Sequence, residues 1–178
     1  MEKPAGAVLV AYESLFGATR RIAEAVAEGA AESAPVDCRS IHEVDASDVA
    51  GRALLVLGAP THGRSLPTAQ TRAEGERWTE YRYRGRRLEP AATTDGMREW
   101  LARVPLTGLR VAVFTTRADL PWVLSGSATT DLARLARRAG GVPVARAFDA
   151  RVDERGRLLD GELDRARAWG ARLAARQT

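Results

Sequence analysis

The residues whose types and spacing could do chemistry appear first between Ser14 and Thr19, where an apolar run gives way to a helical pattern. Ser14 and Thr19 supply a hydroxyl at each end of this segment, and Gly17 lets the backbone approach a ligand closely or adopt positive φ. A loop that leads directly into a helix points unpaired backbone N–H groups and the positive end of the helix dipole at one spot. Such a spot suits a phosphate group.

The residues missing from this loop limit the kind of phosphate ligand. It contains no lysine, so the nucleoside-triphosphate pattern G-x-x-x-x-G-K-[ST] is absent, and the dinucleotide pattern G-x-G-x-x-G occurs nowhere in the chain. A monophosphate remains the best candidate. The residues alone also allow a plain turn in which Ser14 and Thr19 cap the following helix.

The elements around the loop indicate a parallel sheet. Val8–Ala11 is a continuous apolar run, typical of a strand that is buried on both faces. The helix after the loop has one stripe for packing, formed by Ile22, Ala25, Val26, Gly29 and Ala30. Further strands are predicted around Val36–Ile41 at a sheet edge, at Ala53–Leu57, at Leu109–Thr115 and within Val142–Val152.

Five strands separated by helical patterns predict an α/β doubly wound parallel sheet of order 2-1-3-4-5, with helices on both faces. Asp45 or Ser47 is expected to cap a short helix, and Asp160 the closing helix. In such sheets ligands bind beyond the carboxyl ends of the strands, between the first and third. The loops after the third and fourth strands should meet the phosphate loop there.

Composition favours one domain over residues 1–178, with an insertion-like region at about 66–106 that carries short helices near Ala69–Thr79 and Asp95–Val104. Trp100 is expected to pack in the core.

Cys38 is the single cysteine, and no metal-ligand spacing occurs, so we expect a buried thiol, no metal and a cytoplasmic protein. No run approaches the roughly 20 apolar residues that span a bilayer. The net charge is +4, and the basic residues are mostly arginines. The sequence predicts Tyr81–Arg87 to be a solvated charged loop and not a nucleic-acid site.

Three stretches resemble the flavodoxin-like family. YESLFGATRRIAEAVAEG is similar to its phosphate loop and first helix, LLVLGAPTHG to its third strand and first flavin loop, and VAVFTTRADLPWVLSGSA to its fourth strand and second flavin loop. The closing LLDGELDRARAWGARLA resembles the last helix of actinobacterial flavodoxin-domain proteins. The resemblance covers most of the chain in the family's order.

The resemblance implies FMN as the cofactor, held by three groups of residues. They are Ser14, Leu15, Phe16, Gly17, Ala18 and Thr19 at the phosphate; Pro60, Thr61, His62, Gly63 and Arg64 at the ring; and Thr115, Thr116, Arg117, Trp122, Gly126 and Ser127 on the ring's other side. No catalytic residue is implied, and no hydrolase motif occurs in the sequence.

Some positions depart from the family pattern. By this resemblance, Phe16 and Ala18 stand where polar side chains usually contact the phosphate, and each missing contact should lower FMN affinity by about tenfold or more. His62 replaces a common tryptophan, which leaves Trp122 as the aromatic candidate. Arg64 stands where an acid is common, so Arg64 and Arg117 should make the second electron easier to add to the flavin.

Two functions remain open at this point. The first is an FMN redox protein that transfers electrons, either to a partner protein or as a small reductase of quinone-type acceptors. Its positive net charge makes it a poor substitute for an acidic carrier at a basic reductase. The second is a flavodoxin-like fold that has lost FMN and serves as a binding or structural module. If it is an enzyme, an FMN-dependent oxidoreductase is expected.

Overall fold

The computed structural model describes residues 7–81 and 83–176, except for the side chains of Trp122 and Ser125. The strands are β1 Val8–Tyr12, β2 Val36–Ser40, β3 Leu54–Pro60, β4 Arg110–Ala118, β5 Val142–Pro143 and β6 Phe148–Val152. The helices are α1 Ala18–Ala30, α2 Ala46–Val49, α3 Ala69–Ala73, α4 Gly75–Trp78, α5 Met97–Arg103, α6 Trp122–Ser125, α7 Thr129–Arg138 and α8 Glu162–Ala175.

The sheet is parallel and has the order β2-β1-β3-β4-β5, which confirms the predicted topology. Its last strand is divided into two pieces. β5 pairs with Arg110 and Val111 of β4, whereas β6 pairs farther along β4 from Phe114 onward. Both pieces lie on the same edge of β4, so the single strand predicted within Val142–Val152 is interrupted.

Helices cover both faces of the sheet, which explains the continuous apolar runs of β1 and β3. Alternate residues of these strands join two separate core clusters. Trp100 of α5 and Leu132 of α7 pack on one face, and Ile22 of α1 and Trp169 of α8 pack on the other. The predicted stripe of α1 is buried at all five positions, as expected for a helix lying on a sheet.

One of the two predicted helix caps, at Asp45, is confirmed, and the other, at Asp160, is wrong. Asp45 caps α2 by accepting hydrogen bonds from the backbone N–H groups of Ser47 and Asp48. The prediction for Asp160 is wrong, because α8 begins after Gly161, whose φ of 81° turns the chain into the helix. Among the residues that the structure describes, no side chain caps α8. Glu162 in its first turn places negative charge near the helix dipole instead.

The region at 66–106 forms the three short helices α3, α4 and α5. Trp100 is 2% exposed and its Nε1 donates to the Val44 carbonyl at 2.8 Å, so its expected packing role is confirmed. Cys38 is partly buried, and burial raises its pKa to about 12, which makes it a poor nucleophile. Among the described residues, no helix is both long and apolar enough to cross a membrane.

Candidate functional site

A cavity of about 400 Å³ lies beyond the carboxyl ends of β1, β3 and β4. This is the point where the winding of the sheet reverses, between β1 and β3. All three predicted loops contribute to its walls. The predicted residues that line it are Leu15, Phe16, Ala18, Thr19, Pro60, Thr61, His62, Gly63, Arg64, Thr116 and Arg117.

The first wall is the loop before α1. Gly17 is the N-cap residue of α1, with a φ of 88° and no side-chain cap, so the interpretation of Ser14 and Thr19 as helix caps is wrong. Ser14 Oγ instead accepts a hydrogen bond from the Gly17 backbone N–H at 3.1 Å. The Thr19 hydroxyl forms a 2.8 Å hydrogen bond with the Thr116 hydroxyl, which joins this loop to the end of β4.

The N-terminus of α1 offers backbone donors to an anion. Within the described part of the chain, the N–H groups of Ala18, Thr19 and Arg20 have no hydrogen-bond partner, because the first turn of a helix provides none. Ala18 and Thr19 both line the cavity. These donors and the helix dipole act at the same place, and that place suits a phosphate group.

An aromatic wall stands beside the loop. The Phe16 ring lies 4.8 Å from the Tyr83 ring and 6.4 Å from the Trp78 ring, and the His62 ring lies 4.9 Å from Trp78. All four side chains line the cavity. Phe16 therefore replaces a polar phosphate contact with aromatic packing. Sequence reasoning did not assign Trp78 and Tyr83 to the site, because their region carries no strong secondary-structure pattern.

The charged segment that follows Tyr83 contacts the phosphate loop from outside. Arg86 Nη1 donates to the Phe16 carbonyl at 3.1 Å, and the Glu89 N–H donates to the Leu15 carbonyl at 2.8 Å. The Glu89 carboxylate also pairs with Arg20 at 3.2 Å. The sequence predicts Tyr81–Arg87 to be a solvated charged loop, but Tyr83 lines the cavity and Arg86 supports its phosphate-loop wall.

Asp149 of β6 organises the loop after β4. Ser127 Oγ donates to Asp149 Oδ1 at 2.9 Å, and the Thr115 hydroxyl donates to the same oxygen. Arg117 Nε lies 3.9 Å from Asp149 Oδ2, and Arg117 Nη1 donates to the Leu120 carbonyl at 3.1 Å. Asp149 therefore compensates the charge of Arg117. The sequence alone does not indicate this contact.

Of the remaining predicted residues, those whose side chains the structure describes do not line the cavity. Ser14, Gly17, Thr115 and Ser127 lie behind its walls, where they fix the loops as described above. Gly126 packs so closely on Arg64 that a Cβ there would come within 2.8 Å of the Arg64 Cα. The Trp122 side chain, the aromatic candidate of the second loop, lies outside the described residues.

A buried ionic cluster lies behind the phosphate loop. Glu13 is 2% exposed, and its Oε2 accepts a hydrogen bond from the Met97 N–H at 2.9 Å. Its Oε1 lies 3.7 Å from Nη1 of Arg72, which is 1% exposed and also binds Glu99 at 2.9 Å. Burial raises the pKa of Glu13 to about 7, and the Met97 hydrogen bond and Arg72 offset only part of that rise.

Glu13 should give the protein a pH-dependent stability. A carboxyl group whose pKa is raised on folding binds its proton more tightly in the folded state, so its stabilising effect is lost as pH rises from about 4.5 to about 7. We expect the free energy of unfolding to fall by about 3 kcal/mol over this range. Urea denaturation at a series of pH values measures it. If the free energy of unfolding of Glu13→Gln falls with pH as steeply as that of the wild type, the pH dependence does not come from Glu13.

The cavity fits FMN at both ends of that molecule. The unpaired amides of α1 match a phosphate, and the Trp78–His62 wall matches a flat ring system. Its volume is also within the range of small-molecule sites, about 300–1,000 Å³. The Phe16 departure removes one side-chain contact and leaves the backbone donors in place.

Comparisons with known proteins agree with this fold. A flavodoxin from the domain Archaea has a TM-score of 0.66 and 17% identity, over 96% of this chain and 98% of that chain. Flavodoxin 1 from Bacillus cereus has a TM-score of 0.64 and 18% identity, over 95% and 97%. A WrbA-like flavodoxin protein from Agrobacterium tumefaciens has a TM-score of 0.59 and 24% identity, over 97% of both chains.

At such identities these structures establish the fold alone, and no curated protein sequence matches the chain. The family is established by sequence. The family model described as Flavodoxin matches residues 10–116, which is more than half of the chain and includes the last three residues of β1, the phosphate loop and all of β3. The chain therefore belongs to the flavodoxin family of redox proteins, and its cofactor is FMN.

Proposed function

We propose that FMN binds with its phosphate at Ser14–Thr19 and its ring between the loops at 60–64 and 116–127, and that the protein reduces small planar acceptors of the quinone type. The observation that carries this proposal is the meeting of free α1 amides and an aromatic wall in one cavity. Bound FMN supplies electron transfer. The chain's own residues bind the phosphate, orient the ring and keep one ring face against an apolar surface.

Quinone reduction by the reduced holoprotein tests the proposal. The protein is loaded with FMN, freed of unbound flavin and reduced anaerobically with dithionite, and it is then mixed with benzoquinone in a stopped-flow spectrometer. We expect reoxidation that saturates with quinone concentration, because the cavity binds the acceptor. A yellow protein whose rate rises linearly with quinone, no faster than free reduced FMN, would exclude a reductase site. A colourless protein that takes up no FMN would support the binding-module alternative.

Electron transfer to a partner protein is the second candidate, and the rim of the cavity favours it. Leu120, Val123 and Leu124 are 50–67% exposed, and two of them, Leu120 and Leu124, also line the cavity. Exposed apolar groups beside a cofactor site are typical of protein docking surfaces. Slow quinone reduction combined with fast electron exchange with a redox protein would select this function.

Arg64 should raise the potential of the second electron added to FMN. It is exposed and lines the cavity, whereas the charge of Arg117 is compensated by Asp149. A unit charge about 7 Å away contributes roughly 1 kcal/mol after screening, and the two-unit change in Arg64→Asp therefore corresponds to about 50 to 100 mV. Arg64→Asp is therefore expected to lower this potential by about that amount.

A redox titration of the FMN-loaded protein measures the potential of each electron. Arg21→Asp is the matched control, because Arg21 is exposed on α1 and does not line the cavity, while the change in net charge is the same. If both variants shift the potential equally, the effect is one of net charge. An unchanged potential in Arg64→Asp would remove this argument for two-electron chemistry.

A further inference from the structure

Glu13 is a buried acid that directly precedes the phosphate loop. β1 ends at Tyr12, Glu13 follows, and Ser14 begins the loop. One Glu13 oxygen binds the Met97 N–H, and the other, Oε1, accepts no hydrogen bond within the described part of the chain. A carboxylate in such a place has lost its water and has gained one hydrogen bond in exchange.

The charges that face Glu13 do not compensate it fully. The charges that act on Glu13 belong to Arg72 of α3 and to Glu99 and Arg98 of α5. Arg72 is shared by two carboxylates and makes its shorter contact with Glu99, 2.9 Å against 3.7 Å. Arg98 is partly engaged by Asp131 at 3.6 Å. The cluster of Glu13, Arg72 and Glu99 therefore carries one excess negative charge when all three are ionised.

The cluster also connects both walls of the cavity. Glu13 adjoins the phosphate loop, and Arg72 belongs to α3, whose Thr71 lines the cavity within 3.4 Å of His62 Nδ1. Gly96 leaves room for the contact between Arg72 and Glu13, because a Cβ at this position would lie 2.3 Å from Arg72 Nη1 and 2.7 Å from Glu13 Oε1. Glu13 is thus a positioning residue: it directly precedes the phosphate loop in the chain, and it contacts α3 of the other wall through Arg72.

We propose that FMN binding is coupled to proton uptake by Glu13, so that this buried carboxyl group sets the pH range over which the loop accepts a phosphate dianion. The inference rests on the proposed position of the FMN phosphate. A dianion placed beside an ionised, incompletely compensated carboxylate is repelled, and a proton taken from water by Glu13 Oε1 removes that repulsion. The Glu13 pKa of about 7 places the exchange near neutral pH.

Thermodynamic linkage gives the coupling two observable consequences. Because phosphate raises the affinity of Glu13 for its proton, protonation must raise the affinity of the site for phosphate by the same factor. FMN affinity should therefore fall by about three- to tenfold between pH 7 and pH 8.5, where the FMN phosphate is already dianionic. Riboflavin has no phosphate, and its affinity should not change over this range.

Calorimetric titration with FMN and with riboflavin, in buffers of different ionisation enthalpy at pH 7.5, counts the protons taken up. We expect net uptake on FMN binding, none with riboflavin, and none with FMN in Glu13→Gln, whose side-chain oxygen still accepts from the Met97 N–H. Asp164→Asn is the control, because Asp164 is an exposed acid on α8. It should behave like the wild-type protein.

The possible failures are distinguishable. Equal proton uptake by the wild type and Glu13→Gln, with FMN bound by both, overturns the coupling and leaves the proposed function intact. FMN and riboflavin affinities that are equal overturn the phosphate position and the coupling together. If Glu13→Gln does not fold, the wild-type pH profile decides, since a ratio of FMN to riboflavin affinity that is constant from pH 7 to pH 8.5 overturns the coupling.

Discussion

Replacement of Gly29 by alanine is expected to destabilise the protein by about 3 kcal/mol or more, although alanine is the better helix former by about 1 kcal/mol. Gly29 lies where α1 packs against α8. A Cβ at this position would lie 2.0 Å from the carbonyl oxygen of Arg167 and 2.7 Å from its carbonyl carbon. Both obstructing atoms belong to the backbone, so the two helices must separate to make room.

Gly170 allows the same close contact from the α8 side. A Cβ at Gly170 of α8 would lie 2.1 Å from the Val26 carbonyl oxygen. The two glycines therefore allow the backbones of α1 and α8 to approach closely, and α1 carries the amides of the phosphate loop. Gly170→Ala should be destabilising to a similar degree, and the double variant should lose less than the sum because the first change already separates the helices.

Urea denaturation followed by circular dichroism measures both glycine variants. Arg21→Ala is the control, because it changes an exposed position of the same helix and should alter the free energy of unfolding by less than about 0.5 kcal/mol. A Gly29→Ala protein with the wild-type denaturation midpoint would show that α1 and α8 are not held in this close contact.

The sequence predicts well those features that depend on local patterns. The apolar runs of β1 and β3 are continuous because helices cover both faces of the sheet, and the stripe of α1 is buried as its spacing requires. The sheet order follows from the same alternation of strands and helices. The three loops then lie together at one edge, because parallel strands place their carboxyl ends on the same side.

The sequence predicts poorly those features that depend on distant partners. Trp78 and Tyr83 lie in short, weakly patterned segments, and they reach the cavity by packing on Phe16. Glu13 and Arg72 are far apart in sequence, and their isolated charges look like surface residues until the fold buries them. The cap at Asp160 fails for a local reason, since the positive φ of Gly161 moves the helix start by one residue.

The double variant Ser14→Ala with Thr19→Ala is expected to weaken FMN binding by about 100-fold, with little effect on the weaker binding of riboflavin. Both hydroxyls have structural roles. Ser14 Oγ accepts from the Gly17 N–H behind the wall of the cavity, so its removal loosens the loop that presents the α1 amides. The Thr19 hydroxyl is held by Thr116, so it is already fixed at the start of α1 before a ligand arrives.

A hydrogen bond to a charged group contributes about 1.5 to 3 kcal/mol, so the loss of the Thr19 donor, together with the loosened loop at Ser14, should dominate the change in affinity. Fluorescence titration with FMN and with riboflavin measures it. Ser33→Ala is the control, because Ser33 is exposed beyond the far end of α1. An unchanged FMN affinity in the double variant would mean that the backbone amides of α1 alone hold the phosphate. Wild-type protein that binds riboflavin as tightly as FMN would instead show that the phosphate lies elsewhere.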